Sequence, residues 1–245
     1  MDARSENSYL PELVAEYSVS EPDLVTESII DPLARFLGLF IKWNRIYNFS
    51  RFKNPVEIIK SLILPSLFIS SEIPSVNNVL DIGSGPGIPG IPLKIHRPEL
   101  FVSFLDSNEK TITFLQTAFD EMKLFGVQAF YGRAEDLAHE TILRETFDCV
   151  IARSFAPIPI LAEIGSAFLK RGGLIIAQCP KEFKNKFDPS HNSLETLGLE
   201  FQGFLSFSLK AEPSREIPFI SFNKTGKCPE NYPRNWPSMK KKPLF

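Results

Sequence analysis

The chain has 245 residues and a formal net charge of −2, with 43% hydrophobic and 23% charged residues. This composition is typical of a soluble globular protein, and the length suits one large domain with appendages rather than two equal domains. The most apolar run, 61–70, is too short to span a bilayer and contains Pro65. We therefore expect a cytoplasmic protein.

The cysteines and histidines indicate no disulfide framework and no metal site. Cys149, Cys179 and Cys228 are odd in number, lie far apart and form no Cys-x-x-Cys pair. The three histidines lie near none of them in the sequence, and we assign them no role.

The small net charge hides an asymmetry between the two ends of the chain. Residues 223–245 contain six basic residues and Glu230, a net charge of +5, so residues 1–222 carry −7. A basic tail on an acidic body differs from a neutral protein, because the tail is suited to a polyanionic partner.

The N-terminal part predicts a helical cap over residues 1–75. Residues 1–20 are mixed and polar, and we expect them to be frayed. From Glu21 apolar residues recur every three or four positions as far as Tyr47, which predicts an amphipathic helix. A second helix is expected after Asn54-Pro55.

Strand and helix patterns then alternate, which predicts an α/β domain over 76–223 with a basic tail over 224–245. Helices are expected to open near Pro89 or Pro92 and to cover 108–125 and 160–169, and strands are expected at 78–82, 101–106, 127–131, 147–152 and 174–177. Such alternation predicts a parallel sheet with helices on both faces. Two last strands, 201–210 and 215–223, predict an antiparallel hairpin at one edge.

Residues 79–90, Val-Leu-Asp-Ile-Gly-Ser-Gly-Pro-Gly-Ile-Pro-Gly, form the most informative motif. The motif has the layout of a nucleotide-binding turn: a strand, then Gly83, Gly85 and Gly87, and then a prolyl segment that opens a helix. Because the segment also satisfies Gly-x-Gly-x-x-Gly, the turn alone does not exclude a dinucleotide-binding oxidoreductase.

Acidic residues around the turn favour S-adenosylmethionine. The Asp81 carboxylate, two residues before Gly83, would repel a pyrophosphate and attract a sulfonium and an α-ammonium. Asp106 ends the second strand and suits the ribose hydroxyls of either cofactor. A backbone amide at Ala134 or Glu135 could read an adenine ring. The C-terminal hairpin is typical of a seven-stranded methyltransferase sheet and not of a dinucleotide fold.

Several separated motifs resemble one known family in their order and spacing. They are the segments 81–93, 105–107, 133–135 and 152–156, with 42–49 upstream and 232–234 and 241–244 downstream. They are similar to the bacterial small-subunit ribosomal RNA guanine-N7 methyltransferases, also called glucose-inhibited division protein B. The resemblance runs from Trp43 to Leu244 and is more specific than the glycine turn alone.

The resemblance implies the class I, Rossmann-like fold of S-adenosylmethionine-dependent methyltransferases. It also implies methylation of N7 of a guanine in 16S ribosomal RNA, near the decoding site. The cofactor contacts that it implies are Gly83, Ile88, Ala134, Glu135 and Arg153, with Asp106 on the ribose; Asp81, Gly85 and Gly87 complete the predicted site.

The chain departs from the family at two places, both on the substrate side of the predicted site. The family's His and Asp in the second cap helix are here Leu62 and Pro65, although Ser66 is kept. The family's Lys-Gly after the fifth strand is here Cys179-Pro180.

The residues after the fourth strand agree with methylation of a ring nitrogen. Guanine N7 has a free lone pair, so the site needs to align the reactants and exclude water rather than supply a base. The Asn/Asp-Pro-Pro-aromatic motif common in exocyclic amine methyltransferases is replaced by residues 152–155, Ala-Arg-Ser-Phe. We reject Cys179 as a nucleophile, because a cysteine that ends a buried strand is usually a core residue.

Arg153 is the residue that we predict to position the target, with a catalytic role. A guanidinium at the carboxyl end of the fourth strand can hold a phosphate or the O6/N7 edge of guanine. An ion pair with Glu135 is the equal alternative.

The tail also allows two interpretations. Aromatic residues, Tyr232 and Trp236, alternate with basic ones, Arg234 and 240–242, which suits phosphate contacts and base stacking. The alternative is a tail that is packed over the domain.

The sequence thus predicts a monomeric, metal-independent methyltransferase that acts on 16S ribosomal RNA or the small ribosomal subunit. Two other functions stay open. The first is a small-molecule methyltransferase, which the acidic body permits and the basic tail disfavours. The second is a non-catalytic S-adenosylmethionine-binding or RNA-binding protein that lost turnover through the changes at Leu62, Pro65 and Cys179.

Overall fold

The computed structural model describes residues 8–75 and 77–245, which contain one seven-stranded sheet in the order β3-β2-β1-β4-β5-β7-β6. The strands are β1 Asn78–Ile82, β2 Phe101–Asp106, β3 Val127–Tyr131, β4 Phe147–Ala152, β5 Leu169–Gln178, β6 Leu199–Leu209 and β7 Glu212–Lys224. Strands β1 to β5 run parallel, whereas β7 pairs antiparallel with β5 and β6. The predicted mixed sheet with an antiparallel C-terminal hairpin is confirmed.

Helices cover both faces of this sheet. They are α1 Leu10–Ser20, α2 Glu27–Tyr47, α3 Pro55–Ile58, α4 Leu64–Glu72, α5 Gly90–His96, α6 Glu109–Met122, α7 Ala134–Leu137, α8 Ile158–Phe168, α9 Asn192–Thr196 and α10 Trp236–Lys241. A π-helical turn, Ile59–Ile63, joins α3 to α4, and a 3₁₀ turn covers Lys181–Asn185. Among the described residues no helix is both long and apolar enough to span a membrane.

Two hydrophobic clusters fill the space between the helices and the sheet. Successive side chains of a strand point to opposite faces, so neighbours in β1 enter different clusters: Val79 joins the first and Leu80 the second. The first cluster contains the apolar faces of α1, α2, α4, α5 and α6, whereas the second contains α8 and residues of the tail such as Met239. The predicted division of the chain at residues 75 and 223 stays a prediction.

The N-terminal segment differs from the expectation. Residues 1–7 lie outside the described residues, but Leu10–Ser20 is a helix rather than a frayed segment. Leu10, Val14 and Tyr17 are buried at helical spacing and face α2. The polar residues between them obscure this stripe in the sequence.

The long cap helix begins later than the sequence predicts. It starts at Glu27 after the N-cap residue Thr26. Glu21 instead ends α1 as its C-cap residue, and its buried carboxylate accepts a hydrogen bond from Lys210 N at 2.8 Å. Strand β5 in turn begins at Leu169 rather than 174, since Leu169 pairs with Phe147 ahead of an irregularity in the ladder.

Candidate cofactor and substrate site

Two adjoining cavities lie at the carboxyl ends of the parallel strands, where open α/β sheets bind their ligands. The large cavity has a volume of about 690 Å³ and lies between the cap, the glycine turn and β7. The small cavity, of about 260 Å³, lies beyond the ends of β2 and β3. Gly83 and Ser154 line both cavities, so the two share a boundary.

The cavities bring together most of the predicted site residues. The large cavity is lined by Gly83, Gly85, Ile88 and Arg153. The small cavity is lined by Asp106, Ala134 and Glu135 as well as Gly83. Asp81 and Gly87 line neither of the two.

The glycine turn needs glycine for two different reasons. Gly83, with φ of +66°, lies so close to Phe155 that an added Cβ would stand 2.4 Å from Phe155 Cδ2. Gly85 also has a positive φ, of +50°, but an added Cβ there would meet nothing within 4 Å. Gly83 therefore permits close packing, whereas Gly85 mainly permits the backbone conformation.

Asp106 is fixed at the edge of the small cavity by backbone amides. Its Oδ2 accepts from Gly85 N at 2.9 Å and its Oδ1 from Asn108 N at 2.8 Å. A carboxylate offers about four acceptor sites, so Asp106 can still accept hydrogen bonds from hydroxyl groups. The hydrogen bond from Gly85 N to Asp106 also ties the glycine turn to the end of β2.

Asp81 lies behind the glycine turn. Its side chain is fully buried, and Oδ2 accepts from Gly90 N at 2.8 Å while Oδ1 has no hydrogen-bond partner. Burial, with a smaller contribution from the nearby Asp106 charge and against the hydrogen bond from Gly90 N, raises the pKa of the Asp81 carboxyl to about 8. The carboxyl therefore supports the start of α5, and its direct contact with a cofactor stays a prediction.

We expect replacement of Asp81 by asparagine to change how stability depends on pH. The folded protein holds a proton on Asp81 between about pH 4 and 8 that the unfolded chain releases, so this group lowers stability as the pH rises. Asparagine can still accept from Gly90 N but cannot titrate. The free energy of unfolding is measured with urea at pH 5, 6, 7 and 8. The value for the variant, relative to that for the wild type, should increase by up to roughly 1.4 kcal/mol per pH unit. Parallel pH profiles would contradict the burial of an ionisable group here.

Arg153 follows β4 directly and lines the large cavity. Its Nε donates to Gln178 Oε1 at 2.7 Å, which fixes the guanidinium at the ends of β4 and β5. Burial, with a smaller contribution from the charge of Arg51, lowers the pKa of Arg153 to about 10, so the group stays charged at neutral pH. The ion pair with Glu135 considered from the sequence is wrong, because Glu135 instead accepts from Arg133 Nε at 3.0 Å.

Two further arginines of the large cavity are not identifiable as site residues from the sequence. Arg215 in β7 donates to Glu57 Oε2 at 2.7 Å and to Ser61. Arg51 follows the long cap helix and lies over the ring of Phe52. They are far from Arg153 in the sequence, and only the fold brings the three together.

Of the positions that depart from the family, Leu62, Pro65 and Cys179 are buried and Pro180 is exposed. Leu62 lines the large cavity, Pro65 lies in the first turn of α4, and Ser66 Oγ donates to Leu62 O at 2.6 Å. Burial raises the pKa of the Cys179 thiol to about 11. The thiol therefore stays protonated, in agreement with the rejection of Cys179 as a nucleophile.

The tail is packed over the domain. Arg234 binds the buried carboxylate of Glu163 through Nε at 2.9 Å and its terminal nitrogen at 2.6 Å. Lys224 is buried against Ser166. The predicted phosphate contact of Arg234 is thus replaced by an internal ion pair, while Lys240, Lys241 and Lys242 stay exposed.

The sheet order and the position of the two cavities are those of the class I fold of S-adenosylmethionine-dependent methyltransferases. Two solved structures share the fold: M. jannaschii TYW2 in complex with AdoMet, and a SAM-dependent methyltransferase from Aquifex aeolicus. The first is 16% identical with a TM-score of 0.50 and covers 65% of this chain and 74% of its own. The second is 13% identical with a TM-score of 0.51 and covers 71% of this chain and 96% of its own.

Sequence comparison identifies the family. The profile of the rRNA small subunit methyltransferase G family matches residues 29–213. Ribosomal RNA small subunit methyltransferase G of Desulfitobacterium hafniense is 37% identical and that of Lachnoclostridium phytofermentans 34%. The alignments cover 88% and 86% of this chain, and 89% and 87% of the relatives. The chain belongs to this family, as the motifs predicted.

The residues of the two cavities fit S-adenosylmethionine. Asp106 offers acceptors for ribose hydroxyls, and the open space beside Gly85 leaves room for a ligand against the backbone. Ala134 and Glu135 open α7, so their amide N–H groups have no acceptor within that helix.

Proposed function

We propose that this protein transfers the methyl group of S-adenosylmethionine to N7 of a guanine in 16S ribosomal RNA, near the decoding site. The observation that carries the proposal is the chemistry of the large cavity. Its described lining residues include Arg51 and Arg153 but no Asp, Glu, His, Lys or Cys, and a third lining arginine, Arg215, is paired with Glu57 and Glu212. Such a cavity suits a polyanionic substrate whose reacting atom needs no base.

The cofactor side of the site is assigned to the small cavity and the glycine turn. S-adenosylmethionine supplies an electrophilic methyl group on its sulfonium. Asp106 accepts hydrogen bonds from the ribose, and an amide N–H of Ala134 or Glu135 reads the adenine. The remaining proposed contacts are Asp81, Gly83, Gly85, Gly87, Ile88, Glu135 and Arg153.

The substrate side is assigned to the large cavity. The guanine N7 lone pair is available at neutral pH, so the protein has to hold the base in line and exclude water. Arg153, held by Gln178, is placed to donate to the O6/N7 edge or to an adjacent phosphate. The apolar residues Leu62, Phe40 and Ile217 shield the same cavity from water.

A transfer assay tests this proposal against its two rivals. The protein is incubated with methyl-labelled S-adenosylmethionine and small ribosomal subunits from cells that lack this modification. Label in a guanine of 16S ribosomal RNA supports the proposal. Cofactor binding without transfer to subunits or to naked 16S RNA would instead support a non-catalytic protein, and transfer only to small molecules would support the other rival.

Replacement of Arg153 by alanine is expected to lower kcat/KM for the ribosomal substrate by about 10- to 100-fold. The variant loses a charge-assisted hydrogen bond, worth roughly 1.5–3 kcal/mol. Arg153→Lys keeps the charge but not the planar fork, so it should recover only part of the activity. Rates are measured at limiting RNA and saturating cofactor, and unchanged rates for Arg153→Ala would show that this residue does not position the target.

A further inference from the structure

The tail forms one wall of the small cavity. Trp236 is the first residue of α10 and lines this cavity together with Asp106, Ala134 and Glu135. Aromatic side chains that line a nucleoside cavity offer a stacking surface for the base, and this stacking does not depend on the hydrogen-bonding groups at the edge of the base.

Neighbouring side chains fix the orientation of the Trp236 indole. The Phe155 ring packs edge-on against it, with 6.4 Å between the ring centroids. The Arg133 guanidinium lies over the indole, 4.9 Å from its centroid. Phe155 is also the residue against which Gly83 packs. The indole is therefore connected through one side chain to the glycine turn.

Contacts away from the cavity hold the tail in this position. Arg234 is paired with the buried Glu163, as described above. Arg144 donates to the carbonyl oxygens of Pro229 and Tyr232, each at 2.9 Å, and to that of Cys228 at 3.2 Å. The segment before α10 is therefore part of the folded domain, and Trp236 is preorganised rather than free.

We propose that Trp236 is a cofactor-binding residue whose indole contacts the adenine of S-adenosylmethionine and closes the small cavity. The inference rests on the proposed function in one respect, the assignment of the nucleoside to the cavity that contains Asp106. It changes the role of the tail: Trp236 belongs to the cofactor site, so deletion of residues 230–245 should weaken cofactor binding as well as any contact with RNA.

Binding measurements with two ligands test this inference. S-adenosylhomocysteine and 5′-methylthioadenosine share the adenosine, but only the first carries the amino-acid part. For Trp236→Ala we expect an affinity about tenfold lower for both ligands, because the lost contact is on the adenine. Trp236→Phe should stay within about threefold of the wild type. Phe245→Ala is the matched control: it alters the tail at Phe187 and His191, away from both cavities, and should bind both ligands normally.

Tryptophan fluorescence gives a second readout, in which Trp236 and its contacts stay unchanged. The chain has two tryptophans, and Trp43 packs against Tyr47 and Phe114 in the cap, outside the lining of both cavities. In a Trp43→Phe variant Trp236 is the sole tryptophan, so the tryptophan emission comes from it alone. Its emission should change on saturation with either ligand, including the one without the amino-acid part.

The outcomes separate this inference from the proposed function. If the wild type binds neither ligand, the proposed cofactor site itself fails. If the wild type binds both ligands while Trp236→Ala binds them equally well, or if Trp236 emission does not respond, only the inference is overturned. Loss of RNA affinity with unchanged cofactor affinity in Trp236→Ala would assign the indole to RNA stacking and would also overturn it.

Discussion

Replacement of Gly83 by alanine is expected to lower the affinity for S-adenosylhomocysteine by at least about 100-fold and the free energy of unfolding by roughly 2–4 kcal/mol. The added Cβ would stand 2.4 Å from Phe155 Cδ2, in a residue whose φ is +66°. Relaxation is restricted, because Gly83 N donates to Leu105 O at 2.8 Å and Phe155 is packed against Trp236. The strain is located where the two cavities meet, because Gly83 lines both of them.

Gly85→Ala is the matched control for the stability of this variant, although not for its ligand affinity, because Gly85 itself lines the large cavity. Its φ is also positive, but its Cβ would have no neighbour within 4 Å, so only the backbone conformation should cost energy, about 1 kcal/mol. Denaturant unfolding of both variants separates packing from backbone strain, and calorimetric titration of Gly83→Ala measures its ligand affinity. Equal stability of the two variants, with normal ligand binding by Gly83→Ala, would contradict the account of this turn.

Replacement of Glu163 by alanine is expected to destabilise the protein by about 3–5 kcal/mol and to release the tail. The Glu163 side chain is only 1% exposed and accepts from Arg234 N, Nε and a terminal guanidinium nitrogen. Without it the half-buried guanidinium has no counter-charge. If Trp236 binds the cofactor, the affinity for S-adenosylhomocysteine should fall as well, although Glu163 lines neither cavity.

An exposed ion pair in the same tail provides the comparison. Lys227 and Glu230 approach to 3.5 Å, but their side chains are 68% and 87% exposed. Glu230→Ala should therefore change the free energy of unfolding by less than about 0.5 kcal/mol. Thermal unfolding and ligand titration of both variants test the difference, and similar small effects for Glu163→Ala and Glu230→Ala would refute a buried anchor for the tail.

The sheet is predictable from the sequence because its pattern is local. Runs such as Phe101–Asp106 and Phe147–Ala152 are bounded by turn residues, and the structure gives both strands these same limits. Helix α1 is not predictable in this way, since its stripe of Leu10, Val14 and Tyr17 becomes apparent only when it is packed on α2.

The cofactor half of the site is also largely local in the sequence, whereas the substrate half is not. The glycine turn and Asp106 lie within one strand-helix-strand unit. Arg51, Arg153 and Arg215 come from the cap, β4 and β7, and no spacing in the sequence connects them. The role of the tail depends on Glu163 and Arg144, which lie 71 and 88 residues before Arg234 and Tyr232, the tail residues that they bind.

Asp81 shows how a correct conclusion can rest on an incomplete reason. In the sequence, its negative charge favours a sulfonium over a pyrophosphate. Burial raises the pKa of this carboxyl to about 8, so in the free protein it is largely protonated at neutral pH. The antiparallel hairpin and the separated motifs are the features that identify the methyltransferase.

The position of the transferred methyl group tests the central claim most directly. Small ribosomal subunits that lack the modification are methylated with labelled S-adenosylmethionine, and their 16S RNA is digested to nucleosides and separated by chromatography with mass spectrometry. The cavity without a base predicts that all of the label appears as 7-methylguanosine. Label on an exocyclic amine or on a pyrimidine carbon would contradict it.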